Sequence, residues 1–407
     1  MDFSFKIQKK DRKTRARAGV IKTSHGEIQT PAFSPVATKA SVKTLSPEDL
    51  LAAGSQVVLG NTYHLFLRPG SAIIKKFGGF GPFMGWDGPT ITDSGGYQVS
   101  FLWPPARRAF TEPAGSMNRK SGPEGEVEEN IGKVVKITDA GATFSSYIDG
   151  SIHILTPEKS MEIQKILGAD IIMAFDQPLG SDYSKEEKEK AFTRTLKWEE
   201  RSFMHWKKIK SSQALFGIVQ GDLDKDLRRK SLEFILSMGF PGIAMGGESI
   251  GSNPEITAKS MELVMDLLPD DKPVHALGLG GGPEGIFAGV SRGVDLFDNT
   301  GITRMARTGL LFIYPQDGGT RKNKYRVDIK RKGYYDKMRP ISKSCDCFAC
   351  RNFSSAYIHH LLVSGELLGL RLASIHNVTY INSLMGIIRE NIQNGDFAEL
   401  KKFWLKG

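Results

Sequence analysis

Two aspartates, Asp93 and Asp298, occupy positions from which carboxylates can do chemistry. Asp93 lies in TITDSGGYQ, where an apolar run stops and Ser94, Gly95 and Gly96 let the backbone approach a ligand closely. Asp298 closes VDLFD in the same way. Paired carboxylates across one pocket carry out displacement at a sugar carbon, one as nucleophile and the other handling protons. A single aspartate at a strand end is more often a cap or turn residue, so the argument rests on company. Asn61, His64, Asp176, Gln220 and Gly247 also follow short apolar runs. Asp176 and Gln220 offer acceptors and donors suited to a planar, purine-like edge. The Gly246-Gly247 pair offers backbone amides, and Tyr97 and Leu277 are candidates to sandwich a ring. GLGGGPEG from Gly278 meets neither the dinucleotide nor the Walker spacing, so it is no phosphate loop by pattern.

A second cluster has different chemistry. The chain has 3 cysteines, Cys345, Cys347 and Cys350, within six residues. An odd number at that spacing does not make a disulfide framework, whereas structural zinc takes four thiolate or imidazole ligands, so C-x-C-x-x-C needs one more donor. His359, His360 and His376 are the downstream candidates, and spacing alone does not choose among them.

Elements must bring these residues together. Apolar runs recur at QVVLG, PTIT, IIMAF, LFGIV, GIAM, HALG and VDLFD, each ending in small or polar residues, as buried parallel strands do. Helix-period segments lie between them, including TPEKSMEIQKILG and DKDLRRKSLEFILSMG, the latter closed by Gly239. With a further strand around TPAFSPVATK the count is that of an α/β (β/α)8, or TIM, barrel, with an open doubly wound sheet as the competing architecture. In the barrel, residues at strand C-termini converge on one pocket. We expect the barrel over 1–317, interrupted by a mobile loop near 104–130 rich in Pro, Gly and charge, and a C-terminal region over 318–407. There SSAYIHHLLVSGELLGLRLASIHNVTYINSLMGIIREN reads as helix, turn, helix.

Composition sets the outer bounds. The 407 residues are 40% hydrophobic and 25% charged, ordinary for a chain with a proper core. No stretch has the length of a membrane span and the N-terminus has no apolar run of signal-peptide length, so a cytoplasmic protein with no membrane partner is expected. Net charge is +10, which points to a polyanionic partner. Seven basic residues fall between Lys6 and Arg17. Nine fall between Arg321 and Arg339, interleaved with Tyr325, Tyr334 and Tyr335, a pattern suited to unpaired RNA.

In order, TDSGGYQ, GNTYHL, LFGIVQG, AMGG, LFD followed by TRMAR, and CDCFACRNFSSAYIHHL with a later IHN resemble the motifs of queuine tRNA-ribosyltransferases, or tRNA-guanine transglycosylases, from about Arg15 to the C-terminal helices. The resemblance implies a (β/α)8 barrel with an inserted C-terminal zinc-binding subdomain, a structural Zn2+, a tRNA anticodon loop as partner and a homodimer. The implied reaction replaces the wobble guanine by a 7-deazaguanine, queuine or its aminomethyl precursor. By motif, Asp298 is the nucleophile and Asp93 the general acid/base. Asp93, Tyr97, Asp176, Gln220, Gly247 and Leu277 bind the base, Arg304 and Arg307 contact RNA, and His376 joins Cys345, Cys347 and Cys350 on the metal. The chain departs from the usual bacterial pattern at Gln177, Pro178, Glu248, Ser252, Leu277 and Asn299 to Ile302, around the part of the pocket expected to meet the 7-substituent, which tilts the expectation towards queuine. A non-catalytic RNA-binding subunit of such a complex is the alternative, and retention of Asp93 and Asp298 opposes it. A barrel hydrolase with catalytic metal is opposed by the lack of His-x-His at a strand end.

Overall fold

The computed structural model describes residues 2–101, 134–180, 182–247, 250 and 253–406. The expected loop near 104–130, Glu248 and Ser252 lie outside the described residues. In chain order the strands are β1 (Ser4–Lys10), β2 (Arg17–Thr23), β3 (Gly26–Thr30), β4 (Ala32–Ser34), β5 (Val36–Ala37), β6 (Val58–Gly60) and β7 (Thr90–Thr92). They continue as β8 (Val134–Thr138), β9 (Gly141–Ser145), β10 (Ile152–Leu155), β11 (Ile171–Met173), β12 (Ala214–Val219), β13 (Gly242–Met245), β14 (Val274–Ala276), β15 (Leu296–Asp298), β16 (Leu310–Phe312) and β17 (Arg326–Asp328).

The central sheet runs β4-β15-β14-β13-β12-β11-β7-β6-β5, and its ladders are parallel. Only Pro35 separates β4 from β5, so both edges of the sheet belong to one strand and the sheet closes as an eight-stranded barrel. Pro35 has no N–H to offer a ladder, and the strand changes partner there: Ala32 N donates to Asp295 O at 2.8 Å on one side, and Pro35 O accepts from Leu59 N at 3.0 Å on the other. The eight expected strands are all present.

Strands buried on both faces explain the apolar runs. Leu59, Ile91, Met173, Phe216, Ile218 and Leu296 fill the barrel, and Ile21 and Ile28 from the antiparallel β1–β3 sheet seal its lower end. A larger cluster lies between strands and outer helices. The basic segment near the N-terminus belongs to this lower end. Arg17 is buried and clamps both oxygens of Asp295 at 3.0 and 2.6 Å, and Arg15 donates to Leu268 O at 2.8 Å.

Local signals fix the helices. Thr156 caps Pro157–Leu167 by accepting from Lys159 N, and Asp224 caps Lys225–Met238, which ends at Gly239 with φ 80°. The expected C-terminal helices are Ser355–Val363 and Leu367–Asn394. The longer one packs on β1, β2 and β4, and Arg389 donates to Pro31 O at 2.7 Å, so it covers the seam where the barrel closes. Among the described residues, no helix is long and apolar enough to cross a membrane.

Candidate active site and metal centre

Asp93, Asp176, Gln220, Gly247, Leu277 and Asp298 sit at or just beyond the C-terminal ends of β7, β11, β12, β13, β14 and β15, which places them around one mouth. The strand ends are held from behind by polar side chains on the outer helices. Ser202 accepts from Phe175 N at 3.1 Å, Thr195 from Gln177 N at 3.0 Å and Ser231 from Gln220 N at 3.1 Å. Backbone donors that the ladder leaves over at these ends are thus paired in a buried layer.

Asp93 accepts from Thr62 N at 2.7 Å and from the Asn61 side-chain amide, so the turn after β6 orients it. It keeps some surface at the mouth, yet desolvation pushes its pKa up to about 7 against the pull of the Thr62 bond, and the negative charges of Asp298 and Asp176 push the same way. Asp176 is buried and accepts from Ser94 at 3.0 Å and Gln220 at 2.7 Å, and desolvation raises its pKa to about 6. Gly96 allows this: a Cβ there would stand 2.2 Å from Asp176 O and 2.7 Å from its carboxylate. Tyr97, on the following short helix, is 57% exposed with its ring 5.0 Å from that of Phe101, while Leu277 is half-buried on the far side of the barrel order.

Asp298 Oδ1 accepts from His275 Nε2 and from Gly278 N, both at 3.0 Å. Both donors fall on one oxygen, and among the described residues none holds Oδ2. Because a carboxylate accepts, the Nε2 of His275 carries the proton; its Nδ1 is buried without a partner. Asn299 ties the neighbouring loops, donating to Gly278 O at 2.6 Å and accepting from Gly301 N at 2.6 Å. Sequence alone does not mark His275, since one histidine in an apolar strand reads as core. The ring of His64, in the turn after β6, meets Tyr147 Oη at 3.2 Å, and burial, with Lys39 and Lys43 nearby, lowers its pKa to about 4.

Arg304 and Arg307 lie three apart on Gly301–Thr308, the helix that leaves β15. Arg304 is exposed and Arg307 half-buried, and desolvation together with the Arg304 charge lowers the Arg307 pKa. In the basic stripe, Tyr335 is 62% exposed and Tyr334 half-buried, but Tyr325 is wholly buried with its hydroxyl on Trp404 O. Tyr325 is therefore a core residue and not a stacking surface.

Cys345, Cys347, Cys350 and His376 form one buried cluster. His376 Nδ1 lies 3.6, 3.5 and 3.3 Å from the three sulfurs, and all four donor atoms are within 4.8 Å of one another. Donors held ~2.0–2.3 Å from one tetrahedral centre stand about 3.5 Å apart, so the set fits a single metal ion. His376 Nε2 donates to Phe312 O at 2.7 Å, which turns Nδ1 to the sulfurs. His359 is engaged with Ile329 O at 2.7 Å instead.

Residues 11–407 match the family model described as queuine tRNA-ribosyltransferase. The chain is 41% identical over 406 residues to the queuine tRNA-ribosyltransferase of Desulforamulus reducens, covering 100% of this chain and 99% of that one. It is 40% identical over 419 residues to that of Roseiflexus sp., with 100% of both chains covered. To that of Dictyoglomus turgidum it is 40% identical over 402 residues, covering 98% and 94%. With both acidic groups and the cysteine-histidine cluster in place along a full-length match, the chain belongs to the queuine tRNA-ribosyltransferase family.

Proposed function

We propose that this protein is a tRNA-guanine transglycosylase, a pentosyltransferase that exchanges the wobble guanine of tRNA anticodons for a 7-deazaguanine. The observation that carries the reading is the pair of carboxylates at one mouth held in different states of readiness. Asp298 has one oxygen held and one that no donor among the described residues holds, as a nucleophile requires, and Asp93 has a pKa of about 7, as a proton carrier requires. Asp298 Oδ2 attacks C1′ of the ribose as the bond to guanine breaks, and Asp93 in its acid form supplies the proton that guanine takes. A covalent ester joins RNA and protein. The incoming base then gives its ring N–H proton to Asp93 and its nitrogen attacks C1′, which releases Asp298 and restores the original configuration by double inversion.

Base recognition falls to Asp176, Gln220 and the Gly247 amide, with Tyr97 and Leu277 against the ring faces. An anticodon base is already unpaired, so extrusion costs only unstacking, a few kcal/mol at about the usual magnitude. Arg304, Arg307 and the exposed part of the stripe at Tyr335 hold the RNA backbone. Cys345, Cys347, Cys350 and His376 hold a structural Zn2+; four protein donors complete its coordination, and its role is to fasten the chain. A second copy of the chain is the partner we favour for the C-terminal surface, where Phe348, Tyr357, Val363 and Leu367 are exposed. A substrate of this kind places the protein in the cytoplasm. Whether the natural base is queuine or its aminomethyl precursor turns on Glu248 and Ser252, with queuine our preference.

Incubation with tRNA and a 7-deazaguanine, followed by a denaturing gel, tests the reading. The wild type should give an RNA-protein adduct and exchange labelled guanine, and Asp298→Asn should give neither. Exchange that persists in Asp298→Asn would overturn it.

A further inference from the structure

Arg228 is a wholly buried cation on Lys225–Met238, and among the described residues no carboxylate pairs with it. Burial lowers its pKa only to about 10, so it is charged at neutral pH. A buried cation with no carboxylate in contact among the described residues, and only the more distant charge of Asp222 to offset it, is normally strongly unfavourable, which asks what this one holds. Its Nη1 donates to Gly246 O at 3.0 Å and reaches towards Val219 O at 3.5 Å, while Nη2 lies 3.9 Å from Met245 Sδ. The guanidinium thus stands behind the ends of β12 and β13 and acts on the first peptide after β13.

That contact fixes a direction. The 246–247 peptide is planar and is not among the cis bonds, so its carbonyl and the Gly247 N–H point opposite ways. With the carbonyl turned outward to Arg228 in the helix layer, the N–H of Gly247 points inward to the mouth, and it has no acceptor among the described residues. Gly246 is itself pinned on its other side: a Cβ there would stand 2.7 Å from Gln220 Nε2, the group that donates to Asp176. One turn further along the same helix, Ser231 holds Gln220 N. Resting on the transglycosylase reading above, we infer that Arg228 is a positioning residue that aims the Gly247 amide at the 6-oxo oxygen of the base and so makes that oxygen a requirement for binding. A charged donor on the far side of the peptide also polarises the N–H, and a preset donor needs no reorganisation when the base arrives.

The test compares guanine with 2-aminopurine, which carries hydrogen at the 6-position, as competitors of labelled guanine exchange in wild type, Arg228→Met and Arg228→Lys. In Arg228→Met guanine should bind about tenfold more weakly while 2-aminopurine changes less than about twofold, since one aimed hydrogen bond is lost for one ligand only. Should Arg228→Met not fold, Arg228→Lys keeps the charge without the planar fork and should lose about threefold of the guanine preference. Equal weakening of both bases, or an unchanged preference in the folded variants, overturns the inference, because loss of a merely structural contact affects both ligands alike. Absence of guanine exchange in the wild type would instead sink the transglycosylase reading and leaves a distinct signature.

Discussion

In the proposed mechanism Asp93 ties the chemistry to pH. Its folded pKa of about 7 lies above the ordinary aspartate value of ~3.9, so the folded state holds a proton that the unfolded chain has released between these limits. Stability from this group is fully present below about pH 4 and is lost as pH rises through about 7. Asp176, raised to about 6, acts in the same direction. Urea midpoints of the wild type should therefore carry a component that falls between about pH 4 and 7, and Asp93→Asn should flatten it. A variant with an unchanged profile would remove Asp93 as its source. In the proposed mechanism the half-reactions should respond oppositely: adduct formation would use the protonated acid and its resolution the carboxylate, so trapped adduct should decline as pH rises through about 7. At this scale the sequence was informative where a residue type is rare at its position. Asp93, Asp298 and the clustered cysteines stood out. His275 did not, because its role comes from β14 lying beside β15, a juxtaposition only the closed sheet creates.

The elements show which local signals survive packing. All eight barrel strands, the Gly239 stop and the paired C-terminal helices were legible, because each is a periodic apolar pattern bounded by small or polar residues. The antiparallel β1–β3 sheet went unread: its residues alternate with many charges, and its attachment to the barrel depends on long-range pairs such as Arg17 with Asp295. The β8–β10 sheet was likewise missed, since the Pro- and Gly-rich stretch before it drew the reading to loop. At the turn between β7 and its helix, Gly96 is a point where an element can be tested. Gly96→Ala places a Cβ 2.2 Å from Asp176 O and must shift that backbone, with an expected loss of about 1–3 kcal/mol. Thermal melts should report the loss, and guanine exchange should show a raised KM from the displaced Asp176. A variant with wild-type KM would show that the turn accommodates the methyl without moving the pocket.

Across the whole molecule, the four-donor cluster and the barrel seam are linked through one helix. His376 lies on Leu367–Asn394, which also covers β4 and carries Arg389 to Pro31 O. Releasing the metal should therefore loosen more than the cysteine loop. Chelation, or Cys347→Ser, is expected to lower the melting temperature by on the order of 10 °C, the scale of several kcal/mol in a domain of this class, with metal content measured alongside. A metal-free chain melting like wild type would contradict this. The strand broken at Pro35 has a further consequence, for the chain as it is made. One half of that strand pairs with β6 early, but the other half waits for β15, whose Asp298 stands in register with Ser34. A chain still on the ribosome carries an open sheet edge over most of its synthesis, the kind of edge that recruits other strands. Placement of the proposed nucleophile and removal of that hazard occur in the same event, so a chain truncated before β15 should be both inert and prone to aggregate.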